Sequence, residues 1–164
     1  MPRRQLIIDP DLYDVNAPIA DIEEIRRYNS QRFEMEQLTG ILYENFEEKA
    51  CVGYLDTSDK SFWVRGHMPD FPLMPGVIMC ESAAQLTSFF ANKFDLMPGC
   101  LLGLGGIDDV RFRGVVRPGD RFVVQAKMLH CKLMLITAEF IGLVGDNIVC
   151  EGIVKGVPLA NKES

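Results

Sequence analysis

A single long segment, VIMCESAAQLTSFFANKF at residues 77–94, constrains the fold more than any other part of the chain. Pro75 and Gly76 mark its beginning and the MPG triplet at 97–99 marks its end, as expected for a helix. Because the segment is apolar on almost every side, the helix has no solvent face and must be enclosed by other elements. A chain of 164 residues has room for one hydrophobic core, so this helix belongs to the centre of one domain.

Strand patterns dominate the rest of the chain. The turn signals RPGD at 117–120 and GDN at 145–147 divide the region after the helix into consecutive strands. One buried helix followed by such a meander predicts an α+β fold, in which an antiparallel sheet wraps around the helix. The predicted strand regions are a β-like stretch between Phe33 and Leu55, a short strand at 62–64, and strands at 100–116, 121–130, 132–144 and 148–157.

The N-terminal part is predicted to contain an arm and a short helix. Within residues 18–30, Ile19, Ile22 and Ile25 recur at helical spacing, with acidic residues before basic ones. Residues 1–17 are polar, contain proline and have no periodicity. We therefore interpret 1–17 as an N-terminal arm and 18–164 as a single domain.

The composition and charge of the chain limit which partners and which cellular location are expected. The formal net charge of −6 disfavours nucleic acid as a partner. No segment approaches the roughly 20 apolar residues that span a bilayer, and Leu6–Ile8 is too short for a signal-peptide core. We expect a cytoplasmic protein without membrane contact. Five cysteines, with no pair at CxxC spacing, indicate reduced and mostly buried thiols rather than disulfides or a zinc site.

The central helix carries one acidic residue, Glu81, inside its apolar run. Burial of a carboxylate without a partner is costly and favours the protonated form, which makes Glu81 a candidate proton donor. Gln85 lies one helical turn later and can form a hydrogen bond with it. A lone glutamate of this kind is more often structural, reaching the surface or pairing with an arginine.

The loop before the helix, GHMPDFPLMPG at 66–76, supplies two further candidates. His67 is one of only two histidines and is a candidate base, although a lone loop histidine is usually an ordinary surface residue. Gly76 lies where the first backbone N–H groups of the helix, including that of Val77, lack intrahelical partners and can stabilise negative charge. Gly76 equally suits the tight turn after Pro75.

These groups together suit the removal of a proton next to a thioester carbonyl. That reaction needs a base, an oxyanion stabiliser and an acid for the departing hydroxyl group. It requires neither a metal ion nor a redox cofactor, so we expect no cofactor.

Two long motifs resemble those of bacterial 3-hydroxyacyl-[acyl-carrier-protein] dehydratases of type II fatty acid synthesis. HMPDFPLMPGVIMCESAAQ resembles the family signature H-F-P-G-x-P-x-M-P-G-V-L-x-x-E-x-x-A-Q, and GIDDVRFRGVVRPGD resembles G-I-x-x-x-R-F-x-x-x-V-x-P-G-D. The resemblance extends over roughly residues 18–157. The first motif matches at His67, Pro69, Pro72, Met74, Pro75, Gly76, Val77, Glu81, Ala84 and Gln85.

The resemblance implies a hot-dog fold and an obligate homodimer, with trimers of dimers also found in the family. Each active site would take catalytic His67 from one subunit and catalytic Glu81 from the other. Gly76 and Val77 would supply the oxyanion site, and Gln85 would orient Glu81. The implied reaction converts a (3R)-3-hydroxyacyl thioester to the trans-2-enoyl thioester, with the substrate on the phosphopantetheine arm of an acyl carrier protein.

Arg111, Arg113 and Arg117 are candidates for binding that acidic carrier protein, although a solvated strand face explains them equally well. The chain departs from the family at Met68 and at Asp70, where the family has glycine. If that position needs a positive φ, aspartate tolerates it less well.

Two other functions remain open at this point. A hot-dog acyl thioesterase could use a glutamate on this helix to activate water, although it would not need His67. A non-catalytic acyl-carrier-binding protein of a specialised lipid or polyketide pathway would have no need of the costly Glu81.

Overall fold

The computed structural model describes residues 5–132 and 134–161. They form one long helix, one short helix and six strands. The helices are α1 (Ile22–Tyr28) and α2 (Gly76–Lys93), and the strands are β1 (Gly40–Asn45), β2 (Ala50–Asp56), β3 (Cys100–Phe112), β4 (Arg121–Lys132), β5 (Leu135–Val144) and β6 (Asn147–Asn161). Short 3₁₀ turns lie at Pro10–Leu12 and Phe33–Met35.

All six strands belong to one antiparallel sheet with the order β1-β2-β4-β5-β6-β3. The strand β3 pairs with the distant β6 rather than with its chain neighbour β4, so β3 and β1 form the two edges. The helix α2 packs across one face of the sheet, against β2, β3, β4, β5 and β6. Its side chains Leu86, Phe89 and Phe90 are fully buried there.

The strand β4 explains how the sheet separates two apolar layers. Its residues alternate with a period of two, as a strand requires. Phe122, Val124 and Ala126 face the core around α2, whereas Val123 belongs to a second cluster on the other face of the sheet. Gln125 is fully buried. Both faces of β4 are therefore covered between Phe122 and Ala126, which accounts for the mostly apolar sequence of this part of the strand.

Part of the second layer comes from the N-terminal segment. Ile8 is buried and packs with residues of β1, β2, β4 and β5. Its backbone N–H donates to Gln125 Oε1 at 3.0 Å, and its carbonyl accepts from Gln125 Nε2 at 2.8 Å. Gln125 Nε2 also donates to the Tyr13 hydroxyl at 3.0 Å. The buried Gln125 thus holds the N-terminal segment across the outside of the sheet, a contact for which the sequence gives no signal.

The short helix α1 lies within the predicted range 18–30. Asp21 caps it, accepting a hydrogen bond from the Glu24 backbone N–H at 3.0 Å, and acidic residues precede basic ones as the helix dipole favours. Ile25 is buried, but Ile19 lies outside the helix and is exposed. The range predicted from the apolar spacing alone was therefore longer than the helix at both ends.

Two stretches predicted to be β structure are turns. Residues 33–35 form a 3₁₀ turn in which Phe33 has a φ of 58° and an exposed side chain. The predicted strand at 62–64 is also wrong. Trp63 is buried in the core, yet its neighbours form local backbone bonds from Val64 N–H to Ser61 O and from His67 N–H to Trp63 O. Core packing of one aromatic residue, not pairing in the sheet, explains the apolar pattern.

The cysteines agree with the expectation of reduced, mostly buried thiols. All five are free, and Cys51, Cys80 and Cys150 are buried while Cys100 and Cys131 are half-buried. Burial raises the pKa of the Cys150 thiol to about 12 and also raises that of Cys51. These two thiols therefore stay protonated at neutral pH.

An antiparallel sheet wrapped around one long central helix, with a short helix before it, confirms the predicted hot-dog fold. Among residues 5–132 and 134–161, no helix combines the length and the apolar character needed to cross a membrane.

Candidate active site

The loop that leads into α2 holds His67 by its backbone and by its ring. The His67 N–H donates to Trp63 O at 2.8 Å, and the His67 carbonyl accepts from Leu73 N–H at 2.8 Å. The ring atom Nδ1 lies 2.8 Å from the Leu73 carbonyl oxygen. Because a carbonyl oxygen can only accept, Nδ1 must carry the proton of this bond. In the neutral ring Nε2 is then unprotonated and can act as a base.

The first turn of α2 lies beside His67. Pro75 precedes the helix and provides no side-chain cap, so Gly76 and Val77 begin the helix at an end without a capping side chain. His67, Gly76 and Val77 line one open depression, which we call the loop depression. Its full lining is His67, Pro75, Gly76, Val77, Met79, Phe112, Gly114 and Val115.

Gly76 also has a packing role. A Cβ atom at this position would lie 2.6 Å from the Phe112 ring, too close for any side chain unless the ring moved. Phe112, at the end of β3, therefore approaches the start of the helix closely. The sequence does not indicate this contact, because the motif RFRG around Phe112 contains no signal for packing against the helix. The tight turn after Pro75 and the oxyanion site stay predictions for Gly76, and the close approach of Phe112 is a further reason for glycine at this position.

Glu81 lies one turn further along α2, half-buried, and the predicted hydrogen bond to Gln85 is present. Gln85 Nε2 donates to Glu81 Oε1 at 2.7 Å and to the Met35 carbonyl at 2.7 Å. Gln85 Oε1 accepts from the Gln37 backbone N–H at 2.9 Å. Gln85 itself is buried, with 2% of its surface exposed. A buried amide with three partners thus fixes the carboxyl group of Glu81 to the turn at 33–37.

The Glu81 carboxyl group opens onto a small cavity of about 50 Å³ between α2 and the β3–β6 edge, which we call the helix cavity. Its lining is Gln31, Glu81, Ala84, Gln85, Thr87, Ser88, Leu102, Gly103, Leu104, Val154, Lys155 and Gly156. The sequence did not predict Gln31 as a site residue, because it lies in an irregular polar segment without a motif.

The structure brings the predicted residues together in two groups rather than one. His67, Gly76 and Val77 share the loop depression, whereas Glu81 and Gln85 share the helix cavity. The two linings have no residue in common. Within one chain, the candidate base and the candidate acid therefore face different spaces.

The three candidate arginines differ in their surroundings. Arg113 forms a bidentate pair with the buried Glu151, with Nε–Oε2 and Nη2–Oε1 distances of 3.0 and 3.1 Å. The Arg117 guanidinium lies 5.8 Å from the centre of the Phe71 ring. Arg113 and Arg117 line one surface depression, and Arg111 is exposed on β3. Arg113 thus has part of its charge balanced within the chain.

Asp70, which stands where the family has glycine, does not need a positive φ in this chain. Asp70 is not among the non-glycine residues with positive φ, which are Phe33, Lys49, Asp95 and Asp109. The expected difficulty at this position therefore does not arise. Met68 is exposed. No group of three or more His, Cys, Asp or Glu side chains suited to a metal ion occurs in the part of the chain that the structure describes.

The chain matches known proteins over most of its length. A family model described as FabA-like domain matches residues 29–153. The 3-hydroxyacyl-[acyl-carrier-protein] dehydratase FabZ of Francisella tularensis subsp. novicida (strain U112) is 31% identical over 149 residues, which cover 84% of this chain and 91% of the relative.

Solved structures share the fold at lower identity. The dehydratase heterocomplex ApeI:P from Xenorhabdus doucetiae superposes with a TM-score of 0.68 at 16% identity, covering 83% of this chain and 91% of the other. Cj0977, a sigma28-regulated virulence protein from Campylobacter jejuni, gives a TM-score of 0.64 at 17% identity, covering 87% and 95%. The family match and the dehydratase relative together establish that this chain belongs to the FabA-like family of hot-dog proteins.

Proposed function

We propose that the protein is a hydro-lyase that dehydrates a (3R)-3-hydroxyacyl thioester, carried by an acyl carrier protein, to the trans-2-enoyl thioester in fatty acid biosynthesis. Family membership and the dehydratase relative support this reaction class. The observation that carries the proposal is His67. Its Nδ1–H donates to Leu73 O, so its basic Nε2 is available in the same depression as the start of α2.

The reaction divides the work between the two groups of residues. His67 Nε2 removes the proton from C2, and the electrons of that C–H bond form the C2–C3 double bond while the C3–O bond breaks. Glu81 donates a proton to the departing hydroxyl group, which leaves as water. The negative charge that builds on the thioester oxygen is stabilised by the backbone N–H groups of Gly76 and Val77. Gln85 holds the Glu81 carboxyl group through its 2.7 Å bond.

A homodimer would complete the site, with His67 of one subunit opposite Glu81 of the other. The separation of the two residues into different depressions supports this arrangement. The edge strand β3 supports it too, because Leu104, Ile107 and Phe112 are exposed there. An exposed apolar edge favours pairing with a second copy. Assembly into trimers of dimers is part of the same proposal.

The partner is an acyl carrier protein, and its acidic surface would meet Arg111 and Arg117, with Arg113 contributing less because Glu151 balances it. The chemistry needs no cofactor beyond the phosphopantetheine arm that the carrier brings with the substrate. Nucleic acid and membrane have no part in this function. We propose a cytoplasmic location, where soluble carrier proteins are available.

The test is a spectrophotometric hydration assay with crotonyl thioester, since loss of the enone absorbance follows the reverse reaction directly. We expect turnover by the wild-type protein, and a fall of roughly 10²- to 10⁴-fold in kcat/KM for His67→Ala and for Glu81→Gln. Release of free thiol without hydration would assign a thioesterase instead. Full activity of either variant would remove that residue from the mechanism.

A further inference from the structure

Gln31 lines the helix cavity, and one polar atom of its side chain has no partner in the described part of the chain. Gln31 Oε1 is buried and accepts no hydrogen bond within residues 5–132 and 134–161. The other polar side chains of the lining are engaged. Thr87 Oγ1 donates to Ala83 O at 2.9 Å, Ser88 Oγ accepts from Asn92 Nδ2 at 3.2 Å, and Lys155 pairs with Asp108. A buried acceptor without a donor is costly, so its retention beside Glu81 indicates a ligand that supplies the donor.

Neighbouring residues fix the position of Gln31. The buried Asn29 donates from Nδ2 to the Gln85 carbonyl at 2.9 Å, which ties the segment to α2. Arg32 Nη1 donates to the Asn29 and Gln31 carbonyls, each at 2.7 Å. The backbone around Gln31 is therefore held, so Gln31 lines the helix cavity from a fixed position.

We propose that Gln31 is a further catalytic residue, whose Oε1 accepts a hydrogen bond from the 3-hydroxyl group of the substrate. The inference rests on the proposed dehydratase function. A hydroxyl group that takes a proton from Glu81 must turn a lone pair toward that carboxyl group, so its own O–H needs an acceptor elsewhere. Gln31 Oε1 is that acceptor. The departing water then donates one O–H to the Glu81 carboxylate and the other to Gln31.

The size of the cavity agrees with this role. At about 50 Å³ it holds only a few water-sized groups, enough for a hydroxyl group or a departing water beside Glu81. The 3-hydroxyl group is the part of the substrate that Glu81 must reach. Gln31 and Glu81 would therefore hold the same oxygen atom.

The experiment compares Gln31→Leu with the wild-type protein in both reaction directions, using 3-hydroxybutyryl-coenzyme A and crotonyl-coenzyme A. Only the first substrate carries the hydroxyl group. We expect the KM for 3-hydroxybutyryl-coenzyme A to rise about 3- to 10-fold with kcat unchanged, the size of one neutral hydrogen bond. The KM for crotonyl-coenzyme A should stay the same while its kcat falls by the same factor, because the equilibrium constant is fixed.

The matched control is Gln37→Leu, the same change in the same segment. Gln37 Nε2 donates to Glu34 O at 2.7 Å and does not line the cavity, so its loss should not produce this split between the two substrates. Unchanged constants in Gln31→Leu, or an equal loss of kcat in both directions with both KM values unchanged, would overturn the role of Gln31. A wild-type protein without hydration activity would overturn the proposed function, and this inference with it.

Discussion

The two halves of the proposed site are held by different kinds of contact. In the loop depression, His67 is exposed and is fixed through the backbone carbonyls of Trp63 and Leu73. In the helix cavity, Glu81 is half-buried and is fixed by a buried side chain, Gln85, which also binds the turn at 33–37. Backbone contacts tolerate many sequences, whereas the contact through Gln85 depends on one amide. We therefore expect the half with Glu81 to respond more strongly to mutation.

The largest effect should come from combining a variant of each half of the site in one dimer. His67→Ala and Glu81→Gln are each expected to lose roughly 10²- to 10⁴-fold in kcat/KM. Coexpressed chains would form mixed dimers with one intact site and one doubly altered site. Random pairing predicts recovery of about a quarter of the wild-type activity. Tandem affinity tags separate the mixed dimers, in which about half should be recovered. A mixture as inactive as its components would mean that both residues act within one chain.

The next effect concerns stability. Gln85→Leu leaves three groups without their hydrogen-bond partner: the Glu81 carboxyl group, Met35 O and Gln37 N–H. The substitution should lower the free energy of unfolding by about 2–4 kcal/mol. His67→Ala is the control from the other half. It should change the same quantity by less than about 1 kcal/mol, because the ring is exposed and forms one bond. Urea unfolding at a fixed protein concentration measures both. Equal losses would contradict the proposed difference between the halves.

A smaller effect is expected in the turn that Gln85 holds. Phe33 has a φ of 58°, in the left-handed region that favours glycine, and its side chain is 86% exposed. Phe33→Gly should be more stable than Phe33→Ala by about 1 kcal/mol, since both remove the ring and only glycine relieves the backbone. Thermal unfolding of the two variants gives the difference. Identical midpoints would mean that the turn relaxes to another conformation.

The smallest effect is expected at Asp70 in the loop half. Because this residue does not have a positive φ, Asp70→Gly should change the free energy of unfolding by no more than about 0.5 kcal/mol. The hydration rate should also stay close to that of the wild-type protein. A clear gain in either quantity would mean that the aspartate strains the loop.

The central helix and the hydrogen bond between Glu81 and Gln85 could be predicted from the sequence because the signals are local. The apolar run at 77–94, preceded by Pro75 and Gly76, predicted both ends of α2 to within one residue. The spacing of Glu81 and Gln85 predicted their hydrogen bond, since residues four apart lie on the same face of a helix. The turn signal GDN at 145–147 predicted the β5–β6 hairpin in the same way, whereas RPGD at 117–120 joins β3 to β4, two strands that do not pair.

Other features depend on contacts between residues far apart in the chain. Nothing near Gln31 or Phe33 indicates that α2 organises their turn through Gln85, about fifty residues away. The same holds for Gln125, which reaches Ile8 across the sheet. The apolar residues at 33 and at 62–64 predicted strands. Phe33 is instead exposed on a turn, and Trp63 packs in the core without pairing in the sheet. Packing overrides local preference at such positions.

By itself, the sequence determined that a buried helix would carry an acid, a glutamine and a nearby histidine, because periodicity and spacing along one element require only local geometry. The tertiary structure decided which space each of these residues faces. It placed His67 with the start of α2, and it placed Glu81 with Gln31 against the β3–β6 edge. That division arises from the long-range pairing of β3 with β6 and from the hydrogen bonds of Gln85, which no local pattern contains.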